Sequence, residues 1–367
     1  MAMEPRAGEP KELRRGWTTG TCATAAAKAA FSALAGAGFP DPVTVSLPRG
    51  GTVSLKLADA RLGDDDVFAA VVKDAGDDPD VTHGCRVEVL VRRGPPGSGI
   101  VFRAGEGVGT VTRAGLPVPP GEPAINPGPR AMITTALEEV AASTGMPADV
   151  VVTVGIENGE AIARKTWNPR LGIVGGLSIL GTTGIVVPFS CSAWIHSIHR
   201  GVDVARAAGL AHVAASTGST SEAAVQARYR LPDFALLDMG DFAGGTLKYL
   251  RAHPIPRLSL AGGFAKLTKL AQGGLDLHSS RNPMRPDALG AFLHAAGAPD
   301  ELVAKAAQAN TALELLQEAD RIGFPLAARV AARAREVAQE TVGPAVAVEV
   351  LVYDRKGKEI GWAPGWS

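Results

Sequence analysis

Apolar positions along this chain change their period twice. Residues 18–30 open with Thr18, Thr19, Gly20 and Thr21 and pass into an alanine-rich run, the order of a capped helix that stops near Gly36 or Gly38. Alternation with a period of two follows. Residues 43–47 (VTVSL) and 52–57 (TVSLKL) read as a hairpin, and residues 67–73 and 85–93 as strands continuing its sheet. A proline-rich stretch, 116–129, leads to a helix beginning near Pro129. Residues 150–157 predict a strand, with residues 161–167 as its partner across Asn158-Gly159. Beyond Ser190 the rhythm becomes helix and strand in turn: strands at 211–217, 234–238 and 257–263, each followed by a glycine-bearing turn and a helix. Helices at about 286–296, 311–322 and 326–340 and a last strand, AVAVEVLVY, close the chain. The reading is an α+β part over residues 13–190, an α/β part with a Rossmann-like parallel sheet over 191–367, and a disordered lead over 1–12.

Composition narrows the class. The chain has 367 residues, 46% of them hydrophobic, enough for two buried cores. Lysine plus arginine and aspartate plus glutamate number 37 each, so no basic field exists to collect phosphates and nucleic acid is excluded as a general partner. Cys22, Cys85 and Cys191 are scattered without a CxxC pair, which implies reducing, cytoplasmic conditions and neither a zinc site nor a disulfide framework. Residues 171–195 lack charge over a membrane-spanning length. Their many glycines, Gly172 to Gly184 among them, instead predict a buried loop with short strands, and no membrane partner. Gly105, Gly107 and Gly109 lead into TVTR and prolines, not into a helix, so they do not form a dinucleotide fingerprint.

Two places carry candidate chemistry. Ligands of open α/β sheets sit beyond the carboxyl ends of the strands. The first such turn, Thr217, Gly218, Ser219, Thr220, suits a carboxylate or phosphate at a helix start. The second, Asp238, Met239, Gly240, Asp241, sets a carboxylate where ribose hydroxyls could be held, and the third runs from Gly262 to Lys266. Together they describe an adenosyl-ligand pocket; the plain alternative makes Ser219 and Asp241 helix N-caps and nothing more. The other place is the start of the first helix, where threonine hydroxyls, free N–H groups and the adjacent Arg14 and Arg15 could close around an anion.

The string LRRGWTTGTCATAAAKAA (residues 13–30) resembles the opening signature of the CbiD family, the cobalt-precorrin-5B C1-methyltransferases of anaerobic cobalamin biosynthesis. EPAINPGPR (122–130), LSILGTTGIVVPFS (177–190), MGDFAGGTLK (239–248) and KLTKLAQGGLDLHS (266–279) extend the likeness in order through most of the chain. The resemblance implies methyl transfer from S-adenosyl-L-methionine to C1 of a cobalt-bearing tetrapyrrole, with no protein-bound metal. The turns described above give Thr217, Gly218, Ser219, Asp238, Gly240 and Asp241 as the cofactor contacts. For the substrate the resemblance implies Arg14, Thr18, Thr19, Thr21, Arg130, Gly181, Thr182, Thr183, Lys266 and His278, with Arg15, Arg170 and Lys269 as further rim cations. His196 and His199, three apart on a helix, rank below His278. The chain departs from the family pattern at Gly218-Ser219-Thr220 and at Ala265, where glycines are usual. Homo-oligomer formation and transient handover to neighbouring pathway enzymes are left open. The rival readings are a non-catalytic tetrapyrrole carrier and a nucleotide-dependent transferase using the same turns.

Overall fold

A computed structural model describes residues 13–279, 281, 285–309 and 311–366; the lead expected over residues 1–12 lies outside them. The chain divides into two compact units, Met1–Ser190 and Cys191–Ser367.

The first unit contains β1 (Gly16–Trp17), α1 (Thr19–Leu34), β2 (Val43–Ser46), β3 (Thr52–Leu55), β4 (Asp59–Leu62), β5 (Asp66–Val72), β6 (Arg86–Arg93), β7 (Ile100–Ala104), β8 (Thr110–Val111), α2 (Pro127–Thr144), β9 (Val150–Ile156), α3 (Gly159–Ala163), β10 (Ile173–Val174) and β11 (Ile185–Val186). Its main sheet runs β4-β5-β6-β9-β7, antiparallel except where β7 joins β9. Alternation turns Val67, Ala69 and Val71, then Val87, Val89 and Val91, then Val150, Val152 and Val154 to one face, where they meet α1 and α2. Helix α1 is buried on nearly every side. Its alanines lose little side-chain freedom and let the sheet and α2 approach closely. At Gly20 an added Cβ would lie 2.8 Å from Pro129 of α2.

Three readings of this unit need correction. The β2–β3 hairpin is a separate two-stranded sheet, and the main sheet takes its edge from β4, whose polar DARL sequence gives no strand signal. Helix α2 starts at Pro127 behind Asn126. The expected partner strand after Asn158-Gly159 is the short helix α3. Asn158 adopts a left-handed φ of 56°, and Gly159 rests against Gly107, where a Cβ would come within 2.2 Å of the Gly107 carbonyl oxygen. That packing turns the chain away from β9, and Ala-Ile-Ala then continues as helix.

The second unit contains α4 (Cys191–Ala207), β12 (His212–Ser216), α5 (Ser219–Tyr229), β13 (Leu236–Asp238), α6 (Ala243–Ala252), β14 (Arg257–Gly263), α7 (Phe264–Ala271), α8 (Pro286–Ala295), α9 (Asp300–Ala306), α10 (Ala312–Arg321), α11 (Leu326–Val342), β15 (Ala347–Tyr353) and β16 (Glu359–Ala363). The sheet order is β13-β12-β14-β15-β16, parallel up to an antiparallel β16. Helix α9 and strand β16 are additions to the sequence reading. One face, presenting Val213, Ala215, Leu258 and Leu260, is covered by the large helical core. The opposite face, presenting Ala214, Leu236, Ala261 and Leu351, packs on Val225 of α5. Mixed helix and sheet in both units confirms the α+β and α/β class. Among the described residues no helix is long and apolar enough to cross a membrane.

Candidate functional site

Chain order fixes where a crevice must open in the second unit. The chain steps from β12 to β13 on one side and then to β14 on the other, so the topological switch point lies between β12 and β14. Connections leaving those strands diverge there. Gly218 after β12 and Gly263 at the end of β14 both have open space where a Cβ would stand.

The three βα turns meet at this edge. The Thr217 N–H donates to the Ala261 carbonyl (3.0 Å), and the Gly240 N–H to the Ser216 carbonyl (3.1 Å). Lys266 ties the turns together: its ammonium donates to the Thr217 carbonyl (2.9 Å) and stands 3.1 Å from Asp241 Oδ1, an ion pair without hydrogen-bond alignment. Gly262 is required here, since a Cβ would lie 2.8 Å from Thr217 Oγ1. Asp238 pairs in register with Ser216, so both side chains belong to the α5 face. Trp194 of α4 donates from Nε1 to the Asp238 carbonyl (2.9 Å) and lays its ring beside Gly240. At 44% exposure it presents an aromatic surface at the end of β13.

The plain capping alternative does not describe these turns. Helix α5 has Gly218 at its N-cap and α6 has Phe242, and neither receives a side-chain cap. Ser219 already lies inside α5, and Asp241 precedes the cap of α6. The structure thus brings Thr217, Gly218, Ser219, Asp238, Gly240, Asp241 and Lys266 to one edge. His278 joins them through its segment: the Leu277 N–H donates to the Asp241 carbonyl (2.8 Å), and Lys269, buried, donates to the Leu277 carbonyl (3.0 Å). The His278 N–H caps Asp276 (3.0 Å), whose carboxylate pairs with Arg281 and is held below its ordinary range by that hydrogen bond first. Both Lys266 and Lys269, expected as rim cations, donate to backbone carbonyls of the protein itself.

In the first unit the threonines have a different task from the one expected. Thr18 caps α1, accepting from the Thr21 N–H (3.2 Å). Thr21 Oγ1 donates to the Gly184 carbonyl (2.7 Å), and the Thr18 N–H reaches the same oxygen (3.1 Å). Thr19 Oγ1 donates to the Leu180 carbonyl (3.2 Å) and accepts from the Leu180 N–H (3.1 Å). All three side chains are buried. They fasten the glycine-rich loop onto the helix start and leave no spare hydroxyl for an anion. Gly181 lies against Thr18 with φ at 132°, Thr183 binds within its own turn at Ile185, and Thr182 stays exposed. Beyond the loop β11 pairs with β1, and the Phe189 N–H donates to Asp78 Oδ1 (2.8 Å). Leu180, Val187 and Phe189, each at least half exposed, project from this anchored segment as an apolar surface.

The expected arginines are also partly committed. Arg14 forms a two-pronged ion pair with Asp74. Arg130 binds the Ile125 carbonyl (2.8 Å), the Pro123 carbonyl (3.2 Å) and Glu122 (3.1 Å), holding the proline-rich segment. Arg15 is exposed and Arg170 half-buried in the loop after α3. His199 stacks on Tyr249 at 3.8 Å, and burial keeps its pKa below the ordinary value; His196 meets it edge-on. Sequence reasoning missed Ser216 and Trp194 at the strand edge. The residue pattern marks neither, because their meaning lies in partners from other elements.

Comparison with known proteins extends the picture. Residues 6–188 match the CbiD family and residues 276–364 the CbiD C-terminal domain. A Brucella anthropi protein named cobalt-precorrin-5B C(1)-methyltransferase is 62% identical over 350 residues, 95% of each chain. Proteins of the same name from Brucella canis and Brucella suis are 61% identical over the same shares. The crystal structure of a cobalamin biosynthesis protein (CbiD) from Archaeoglobus fulgidus is 31% identical, with a TM-score of 0.42 over 73% of this chain and 83% of that one.

Proposed function

This chain belongs to the CbiD family, and on that premise we propose that it transfers a methyl group from S-adenosyl-L-methionine to C1 of cobalt-precorrin-5B, giving cobalt-precorrin-6A in anaerobic cobalamin biosynthesis. The observation that carries the donor assignment is the meeting of three βα turns at the switch point, around Thr217, Asp238 and Lys266. The proposal includes a cytoplasmic setting and Gly218, Ser219, Gly240 and Asp241 as donor contacts.

A sulfonium supplies an activated methyl group: the new carbon–carbon bond forms at C1 while the carbon–sulfur pair leaves with sulfur. Little is then left for the protein beyond alignment and exclusion of water. Asp238, at a strand end, accepts from ribose hydroxyls. Trp194 gives a flat apolar wall beside Gly240, and Gly218 and Gly263 leave room for close backbone approach. Lys266 holds the turns at fixed spacing. In the first unit the exposed Leu180, Val187 and Phe189 offer apolar area for a broad macrocycle, and Arg15, beside the Arg14–Asp74 ion pair, gives positive charge to its carboxylate arms.

Calorimetric titration with S-adenosylhomocysteine tests this reading. Micromolar affinity, about −8 kcal/mol, and its loss in Asp238→Ala support it. Corrinoid binding by a protein that never binds the adenosyl ligand, alone or with corrinoid present, replaces it with the carrier reading. ATP binding in place of S-adenosylhomocysteine replaces it with the nucleotide-dependent transferase.

A further inference from the structure

At the carboxyl edge of the second sheet the buried hydroxyls of Ser216 and of Tyr353, the last residue of β15, have no hydrogen-bond partner among the described residues, and Ser216 is the one that lies beside the βα turns. Ser216 is 1% exposed. Its neighbours are all engaged. The Ser216 carbonyl accepts from the Gly240 N–H, the Thr217 N–H goes to Ala261, and Ser221 Oγ donates to the Gly218 carbonyl at 2.8 Å. A buried hydroxyl left alone weakens a fold, and an alanine in its place would relieve that cost. Folding therefore gives no reason for the serine.

Its position does. Alternation along β12 turns Ser216 to the face of Ala214, which α5 covers through Val225. Being the last residue of the strand, Ser216 lies under the first turn of α5. That turn is uncapped by any side chain, so its leading N–H groups and the positive end of the helix dipole converge on the same spot. Gly218 beside it has open space, and the Lys266 ammonium sits on the adjacent Thr217 carbonyl. The Ser216 hydroxyl and the leading backbone amides of α5 are donors; the Asp238 carboxylate on the same face is taken by ribose hydroxyls in the proposed reading, and the Lys266 cation is already paired with Asp241. The matching group is an anion that only accepts.

We propose that Ser216 Oγ and the first-turn amides of α5 form a carboxylate subsite. The inference rests on the reading of this edge as the donor pocket, where the carboxylate is that of the donor's amino-acid end. The acid arms of the corrinoid carry the same chemistry and are the other source.

The test measures affinity of the full chain and of Ser216→Ala for three probes: S-adenosylhomocysteine, 5′-methylthioadenosine, which lacks the amino-acid end, and dicyanocobyrinic acid, a stable corrinoid with free carboxylates. Ser216→Ala is expected to weaken S-adenosylhomocysteine about tenfold or more, the loss of a hydrogen bond to a charged group. It leaves methylthioadenosine unchanged and the melting temperature equal or higher. Equal weakening of both nucleosides, no weakening, or a lower melting temperature overturns the subsite. If the unaltered protein binds no adenosyl ligand, the donor assignment of this edge fails separately. Selective loss of cobyrinic acid in Ser216→Ala then keeps the carboxylate subsite with the corrinoid as its source, and no loss refutes it.

Discussion

Lys73 is the deepest charged side chain in the first unit, 1% exposed, and its ammonium donates to Asp80 Oδ2 at 2.5 Å. Asp80 Oδ1 accepts from the Thr82 N–H (2.8 Å) and Oγ1 (2.6 Å). Burial works against the Asp80 charge, but the charge and hydrogen bond of Lys73, with the Thr82 donors, outweigh it and leave its pKa below the ordinary value. The two partners differ in access to water: the Asp80 side chain is 26% exposed. Asp80→Asn strands an ammonium that water cannot reach. Removing one partner of a buried pair costs about 3–5 kcal/mol, in line with roughly 4 kcal/mol of attraction at 4 Å and an effective dielectric near 20. Lys73→Met puts an apolar chain of similar length in the same space and leaves a carboxylate that keeps Thr82 and part of its hydration. Its expected cost is about 1–2 kcal/mol. The double variant, freed of the stranded cation, should fall close to Lys73→Met. Urea unfolding of the four proteins at pH 7 measures this. Asp80→Asn costing no more than Lys73→Met, or a double variant no better than Asp80→Asn, would refute the argument from unequal hydration.

Gly181→Ala places a Cβ 2.4 Å from Thr18 Oγ1 at a φ of 132°, so backbone strain and a displaced helix cap together cost about 2–4 kcal/mol. Calorimetry should show a melting temperature lower by roughly 4–16 °C, and an unchanged value would mean the loop is not held as described. Asp74 has its pKa lowered to about 2, first by the Arg14 hydrogen bond and then by the Gly76 N–H. The folded state therefore binds fewer protons than the unfolded chain, and the stability this gives is full above about pH 4 and lost as pH falls toward 2. Comparing urea midpoints at pH 6 and pH 3, Asp74→Asn should lose less on acidification than the unaltered protein; equal losses would remove Asp74 from the acid response.

The second unit was more legible in the sequence than the first, and the reason is local. Each strand of its parallel sheet is a short apolar run ended by a glycine turn, so 257–263 coincides with β14 and 211–217 nearly with β12. What escaped was marked by weak or misleading local signals. DARL carries too much polarity to read as β4, and Asn158-Gly159, a favoured hairpin turn, instead opens α3 because Gly107 occupies the other side. The site divides in the same way. Thr18 as a cap is a local rule and could be read. That Thr19 and Thr21 bind Leu180 and Gly184 depends on contacts more than 160 residues apart in sequence. Ser216 is invisible to pattern altogether, since an orphaned hydroxyl is defined by the partners it lacks.

The hold of α1 on the loop at 180–184 also bears on how the protein is made. The helix start is made before its Leu180 partner, which is separated from Thr19 by 161 residues. At about 5–20 residues per second, the two are born roughly 8–32 s apart. Throughout that interval the Thr18 cap can form within the helix, but the hydroxyls of Thr19 and Thr21 lack their loop partners. The fastening of α1 to this loop, and of β1 to β11 just beyond it, therefore waits on synthesis.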